Sequence, residues 1–124
     1  EIKGTREYMS PEMISFKKYG KETDIWSIGV TLFVMVTGDY PYLNIKSTTF
    51  NALKNQDYAI FWDLIEKKQN FKLSHELKTL FSNIFQFDPK KRITLEGIKK
   101  SEWMIETETD QITPINSKFL EPLF

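Results

Sequence analysis

Three short segments of this chain contain residue types that could do chemistry or hold a site together. They are 4–12 (GTREYMSPE), 24–29 (DIWSIG) and 88–92 (DPKKR). A planar guanidinium can bind a carboxylate through two parallel hydrogen bonds, so Glu12 and Arg92 are candidates for an ion pair. Each segment is weak evidence alone, because Gly-Thr is common in turns, Glu is common at helix starts and a surface Arg needs no partner.

The order and spacing of the three segments resemble the back half of a eukaryotic protein kinase domain. The first is similar to the end of the kinase activation segment, where the family has Ala-Pro-Glu and this chain has Ser10, Pro11 and Glu12. The resemblance covers roughly 1–103 and is greatest to the calcium/calmodulin-dependent kinase group. It implies transfer of the ATP γ-phosphoryl group, with Mg²⁺, to Ser or Thr hydroxyls of proteins.

The resemblance also implies a substrate pocket in the first segment. In the family, the threonine that corresponds to Thr5 faces the catalytic aspartate and is typical of kinases that phosphorylate Ser or Thr rather than Tyr. The pocket would be lined by Arg6, Glu7, Tyr8 and Met9, with Met9 the best candidate for an apolar contact. Without the resemblance, the Gly-Thr dipeptide predicts only a turn.

Four residues are expected to have structural roles by the same resemblance. Glu12 would pair with Arg92 and tie the activation segment to the base of the lobe, and losing one partner of such a buried pair costs ~3–5 kcal/mol. Asp24 would cap a helix and, in a complete domain, would also accept hydrogen bonds from the catalytic loop. Trp26 would pack beneath the substrate pocket as part of the core.

Glu1 lies three residues before Gly4, where many related kinases carry an activating phosphothreonine. Its carboxylate could supply part of the phosphate charge and order the segment without phosphorylation, or it could be an ordinary solvated residue. The chain departs from the family at Arg6, where proline is frequent, at Ser10, and at 101–103, where His-Pro-Trp is common. None of these departures affects a catalytic residue, but they make the assignment to a subfamily less definite.

The chemistry of a kinase lies in segments that this sequence does not contain. In the family, the glycine-rich phosphate loop, the ATP-positioning lysine, the catalytic His-Arg-Asp loop and the Asp-Phe-Gly metal site all precede the first segment. We therefore assign no catalytic or metal-binding residue, and we expect ATP and Mg²⁺ in the complete enzyme but none on these 124 residues. A first residue that is Glu rather than Met predicts a piece of a longer polypeptide. The competing hypothesis is a kinase remnant or pseudokinase that acts as a protein-binding module.

Composition favours one packed domain. Hydrophobic residues make up 40% of the 124, which is enough for a single core. The 17 basic and 17 acidic residues balance, so we expect neither nucleic acid nor a membrane as a partner. The resemblance implies a protein substrate and the remainder of the kinase domain as partners. The absence of Cys fits a reducing, intracellular and cytoplasmic setting. His75, the only His, is expected at the surface rather than on a metal.

Hydrophobic periodicity predicts an all-α fold around a buried central helix, and the resemblance implies that this fold is a partial kinase C-lobe. The predicted helices are 11–15, 24–37, 48–53, a weaker one around 61–65, 74–86 and 94–100, in a domain at 1–104 followed by a tail at 105–124. Thr23 or Asp24 is expected to cap the central helix and Gly38 to end it. Because the catalytic loop is missing, a large patch of Ile, Val, Phe and Met should be exposed, which predicts marginal stability and self-association.

Overall fold

The computed structural model describes residues 9–16, 20–69 and 72–105, and within these ranges the chain forms helices and loops but no strand. The helices are α1 (Pro11–Phe16), α2 (Lys21–Thr37), α3 (Thr48–Lys54), α4 (Tyr58–Gln69), α5 (His75–Ile84) and α6 (Leu95–Lys99). The predicted all-α class is therefore confirmed. No helix in the described part of the chain is both long enough and apolar enough to cross a membrane. The tail was predicted at 105–124; its first residue, Ile105, is still helical, and 106–124 lie outside the described residues.

Helix α2 supplies the centre of the core. Six of its side chains or backbone positions are buried: Thr23, Ile25, Trp26, Gly29, Val30 and Phe33. Gly29 permits close packing against α5, because a β-carbon at this position would collide with Ile84. The central helix predicted from the sequence is thus buried along the side that faces the other helices.

The two ends of α2 differ in how well the sequence predicts them. Gly38 ends the helix as predicted, with φ of 79° and its N–H donated to the carbonyl of Val34. The predicted cap by Thr23 or Asp24 is wrong, because the helix already begins at Lys21 and no side chain caps it. Thr23 instead donates its hydroxyl hydrogen to a carboxylate of α1, and Asp24 is an exposed residue of the first turn.

Aromatic rings from three helices form the middle of the core. Phe33 of α2 lies 5.3 Å from Phe81 of α5, centroid to centroid, and 6.2 Å from both Phe61 and Trp62 of α4. Phe85, just after α5, lies 6.2 Å from Phe33. We call these five residues the aromatic cluster; such ring pairs contribute dispersion and quadrupole interactions in addition to the area they bury.

Side-chain caps fix the starts of three other helices. Ser47, Ser74 and Thr94 accept hydrogen bonds from backbone N–H groups in the first turns of α3, α5 and α6. The caps predicted at Ser74 and Thr94 are therefore confirmed. Helix α5 ends at Ile84, two residues before its predicted end, because Phe85 leaves the helical conformation with ψ of 53° and turns into the aromatic cluster.

The exposed side of α2 is narrower and less apolar than predicted. Ile28 is 45% exposed and Met35 is 49% exposed. Between and before them on the same helical face lie Thr31 and Asp24, which are exposed and polar. Of the expected Val and Phe residues of α2, Val30 and Phe33 are fully buried, and Val34 and Val36 are partly buried against the core.

Candidate functional site

Helix α1 brings a carboxylate into the interior. Ser10 caps the helix by accepting a hydrogen bond from the N–H of Met13 at 3.3 Å, and Pro11 occupies the first helical position. Glu12 follows in the first turn and is only 8% exposed. A carboxylate this deeply buried needs a partner, since an unpaired charge is costly in the interior.

Arg92 is that partner, although it lies 80 positions further along the chain. Its Nη1 donates to Oε2 of Glu12 at 2.7 Å, and its Nη2 donates to Oε1 at 2.9 Å. The pair is bidentate, and Arg92 is itself only 4% exposed. The contact between Glu12 and Arg92 that the sequence predicts is present.

The rest of the guanidinium connects two further parts of the fold. Nη1 also donates to the carbonyl of Glu22 at 2.7 Å, at the start of α2. Nε and Nη2 both donate to the carbonyl of Gln86, after α5, at 3.0 and 2.7 Å. All five N–H groups of Arg92 are thereby used, and its carbon Cζ lies 5.0 Å from the ring centroid of Trp26. One side chain joins α1, α2 and the loop that follows α5.

Thr23 completes the surroundings of the carboxylate. Its hydroxyl donates to Oε2 of Glu12 at 3.0 Å, so this oxygen accepts from both Thr23 and Arg92. Burial by itself would raise the pKa of Glu12, but the hydrogen bonds from Arg92 and from its own backbone N–H hold that pKa below its ordinary value. We call Glu12, Thr23 and Arg92 the ion-pair cluster; its carboxylate stays ionised although it is buried.

Trp26 lies between this cluster and the chain that precedes α1. The residue is fully buried, and its ring contacts Phe85 and Phe87 edge-on, with centroids 5.1 and 5.8 Å apart. Its indole N–H donates to the hydroxyl oxygen of Tyr42 at 3.0 Å, and that hydroxyl donates to the carbonyl of Met9 at 3.2 Å. The core position expected for Trp26 is observed, and the hydroxyl of Tyr42 links its ring to Met9, the last residue of the predicted substrate pocket.

The structure describes only part of the predicted site. Met9 is half-buried, whereas Thr5, Arg6, Glu7 and Tyr8 lie outside the described residues, as does the Glu1 discussed with them. Asp24 is exposed in the first turn of α2 rather than at its cap, so the position expected for it is not observed.

Sequence reasoning missed two residues that the fold brings to this region. Thr23 was considered only as a helix cap, and the signal that could have found it is its place three residues, about one turn, before the buried Trp26 of α2. Tyr42 gave no signal, because a tyrosine after a proline in a loop has no preferred role. Within the described ranges no three side chains of His, Asp or Glu come together as metal ligands would.

The arrangement of helices around a buried Glu12–Arg92 pair agrees with the resemblance seen in the sequence, and a comparison with known families gives the class. The chain belongs to the protein kinase family, since the family model "Protein kinase domain" matches residues 1–104. The crystal structure of the Rad53 kinase domain and SCD2 has a similar fold, with a TM-score of 0.62 and 24% identity over 82% of this chain and 37% of that one.

Particular relatives are serine/threonine kinases of plants. Serine/threonine-protein kinase SRK2C of Arabidopsis thaliana is 40% identical over 110 residues, which are 83% of this chain and 30% of the relative. Serine/threonine-protein kinase SAPK3 of Oryza sativa subsp. indica is 38% identical over 117 residues, 89% of this chain and 33% of the relative. The chain therefore spans about a third of the length of these relatives. They support a serine/threonine kinase but do not confirm the calcium/calmodulin-dependent group.

Proposed function

We propose that this chain forms the rear part of the large lobe of a serine/threonine kinase that transfers the γ-phosphoryl group of ATP to protein hydroxyls. The observation that carries the proposal is the bidentate ion pair between Glu12 and Arg92. The kinase resemblance pairs these two residues although they are 80 positions apart in the sequence. The pair is buried and has two parallel hydrogen bonds, which supports the role that the resemblance implies for it, namely tying the activation segment to the base of the lobe.

In this proposal the chain's own residues bind and orient the protein substrate. Thr5 would face the catalytic aspartate of the complete domain, Arg6, Glu7 and Tyr8 would line the pocket, and Met9 would offer an apolar contact to the substrate. ATP supplies the phosphoryl group and Mg²⁺ neutralises its charge in the complete enzyme. In the family, the segments that hold ATP and Mg²⁺ precede the residues of this sequence, so we assign both groups to the rest of the kinase domain.

Phosphoryl transfer by the complete protein tests this function. The complete protein should transfer labelled γ-phosphate from ATP to Ser- and Thr-containing peptides and not to matched Tyr peptides, and the 124-residue chain alone should transfer none. Arg92→Ala should remove most of the activity, because the activation segment loses its anchor. Lys90→Ala changes an exposed residue close by and serves as the control. A complete protein without transferase activity would contradict the proposal.

Glu1 is proposed to supply the charge that a phosphothreonine supplies in related kinases. The complete enzyme should then be active before any phosphorylation, and Glu1→Ala should lower that activity. Equal activities of the unphosphorylated protein and its Glu1→Ala variant would reject the idea and leave Glu1 as an ordinary solvated residue.

Subgroup and cell compartment are narrower parts of the same proposal. We place the complete protein inside the cell, in the cytoplasm, on the support of a sequence without Cys. We also keep the calcium/calmodulin-dependent group as its subgroup. Fractionation of cells that express the protein, and calcium-dependent retention on immobilised calmodulin, test the two statements separately.

A non-catalytic binding module is the second candidate, and the exposed face of α2 favours it. Ile28 and Met35 are each about half exposed on one face of the most buried helix, which is the kind of surface that another protein covers. If the complete gene lacks the His-Arg-Asp and Asp-Phe-Gly segments, this face should bind a partner or a second copy. The unmodified protein should then associate with that partner or with itself in light scattering, and a Met35→Lys variant should not.

A further inference from the structure

Tyr42 connects the core of the lobe to the backbone that precedes α1. Its hydroxyl oxygen accepts the indole N–H of Trp26 at 3.0 Å and donates its hydrogen to the carbonyl of Met9 at 3.2 Å. Trp26 is fully buried and Tyr42 is only 2% exposed, so water does not compete strongly for either bond. The hydroxyl uses both its acceptor and its donor capacity in this path.

The ring of Tyr42 is held in place from two sides. It contacts Phe50 of α3 edge-on, with centroids 4.9 Å apart, and lies 6.3 Å from the ring of Trp26. The preceding residue, Pro41, is also fully buried, and its ring restricts the backbone there. A hydroxyl on a ring packed in this way has little freedom, so it fixes the carbonyl it contacts.

We propose that Tyr42 is a positioning residue for substrate binding, whose hydroxyl fixes the carbonyl of Met9, the one residue of the predicted substrate pocket that the structure describes. The inference rests on the proposed kinase function for the role of that pocket. Its geometric part stands independently, because the bond joins residues 33 positions apart in the chain. The ion-pair cluster fixes the same segment three residues later, at Glu12, so Tyr42 is the anchor nearer to the substrate.

A purely structural role for Tyr42 would affect stability alone and would leave peptide binding unchanged. Tyr58 offers the comparison that separates the two roles: its hydroxyl donates to the carbonyl of Phe85 at 2.9 Å, within the fold and away from Met9. Tyr42→Phe and Tyr58→Phe each remove one bond from a phenol to a carbonyl and keep the aromatic ring. Tyr42→Phe also removes the acceptor of Trp26, so it should lower Tm more; both variants are assayed well below their Tm.

Steady-state kinetics of the complete kinase give the first test. Tyr42→Phe should raise KM for a Ser/Thr peptide about threefold to tenfold, the effect of losing one buried hydrogen bond that orders the pocket, while KM for ATP and kcat stay near the unmodified values. Tyr58→Phe should leave all three constants unchanged. Indistinguishable peptide KM values for the two variants would overturn the positioning role.

Limited proteolysis gives a second readout that needs no activity. Trypsin should cut between Arg6 and Glu7 several times faster in Tyr42→Phe than in the unmodified protein, and Tyr58→Phe should be cut at the unmodified rate. If the complete protein proves inactive, the proposed function fails, but the cleavage rates still decide the role of Tyr42. Equal rates in the two variants would then overturn it.

Discussion

The aromatic cluster and the ion-pair cluster are both buried, but they stabilise the fold in different ways. In the aromatic cluster Phe33 has four ring neighbours at 5.3–6.2 Å, so each contact is one of several and none depends on exact direction. In the ion-pair cluster Glu12 and Arg92 depend on each other, because either charge alone would be unpaired in the interior. Loss of one ring should therefore lower the free energy of unfolding only by the contacts that this ring makes. Loss of one charge should lower it more, because the other charge is left buried without a partner.

The largest effect is expected from breaking the ion pair. Arg92→Ala leaves the buried carboxylate of Glu12 without its partner and should lower the free energy of unfolding by about 3–5 kcal/mol, measured by urea denaturation with Trp fluorescence. Arg92→Lys keeps the charge but loses the two-point geometry, so its effect should be intermediate. A loss below about 1 kcal/mol for Arg92→Ala would show that the pair contributes little.

A smaller effect is expected from trimming the aromatic cluster. Phe33→Leu keeps an apolar side chain of similar volume and should lower the free energy of unfolding by about 1–2 kcal/mol in the same experiment. Phe81→Leu, at a fully buried position on α5, should behave alike. If either change destabilised the chain as much as Arg92→Ala, the distinction between the two clusters would be lost.

Removing one hydroxyl sharpens the comparison within the ion-pair cluster. Thr23→Val keeps the shape of the side chain but removes the 3.0 Å bond to Glu12, and it should cost about 1 kcal/mol in the free energy of unfolding. Thr23→Ser keeps the hydroxyl and is the control, with a smaller loss. Equal losses in the two variants would show that the methyl group, not the hydrogen bond, matters at this position.

The smallest expected effect is the loss of stability at acidic pH that comes from protonation of Glu12. Because the pKa of Glu12 is held below its ordinary value of 4.5, the stability it contributes is present above pH 4.5 and is lost as the pH falls through the lowered folded value. Glu12→Gln cannot titrate, so the gap in stability between the two proteins should narrow as the pH falls below 4.5. Burial opposes the hydrogen bonds, which keeps the change modest. A gap that stays constant with pH would contradict the charge state assigned to Glu12.

Sequence patterns predicted the elements whose signals are local. Helix α5 was predicted because its apolar residues recur at helical spacing behind the capping Ser74, and α2 ends at Gly38 because glycine adopts positive φ readily. The start of α2 was misplaced, since no side chain caps it and the hydroxyl of Thr23 serves Glu12 instead. A local sequence pattern cannot show that a side chain bonds a residue of another helix instead of capping its own.

Contacts between residues far apart in the sequence were predicted less well than the local elements. Residue types alone did not predict a contact between Glu12 and Arg92. Only the kinase resemblance predicted that these two distant residues form a pair. The exposed patch on α2 was overestimated, because periodicity does not show which faces α4 and α5 cover. Tyr42 was not predicted, since its role depends on Trp26 and Met9 reaching it in three dimensions.

A double-mutant cycle on the ion pair tests the central claim most directly. Glu12→Gln, Arg92→Met and the combined variant are compared with the unmodified chain by urea denaturation, and the same cycle is run on Phe33→Leu and Phe81→Leu. The account predicts a coupling of about 2–3 kcal/mol between Glu12 and Arg92, well above that between the two phenylalanines. A coupling below about 0.5 kcal/mol for the ion pair would contradict it, because the two charges would then act independently.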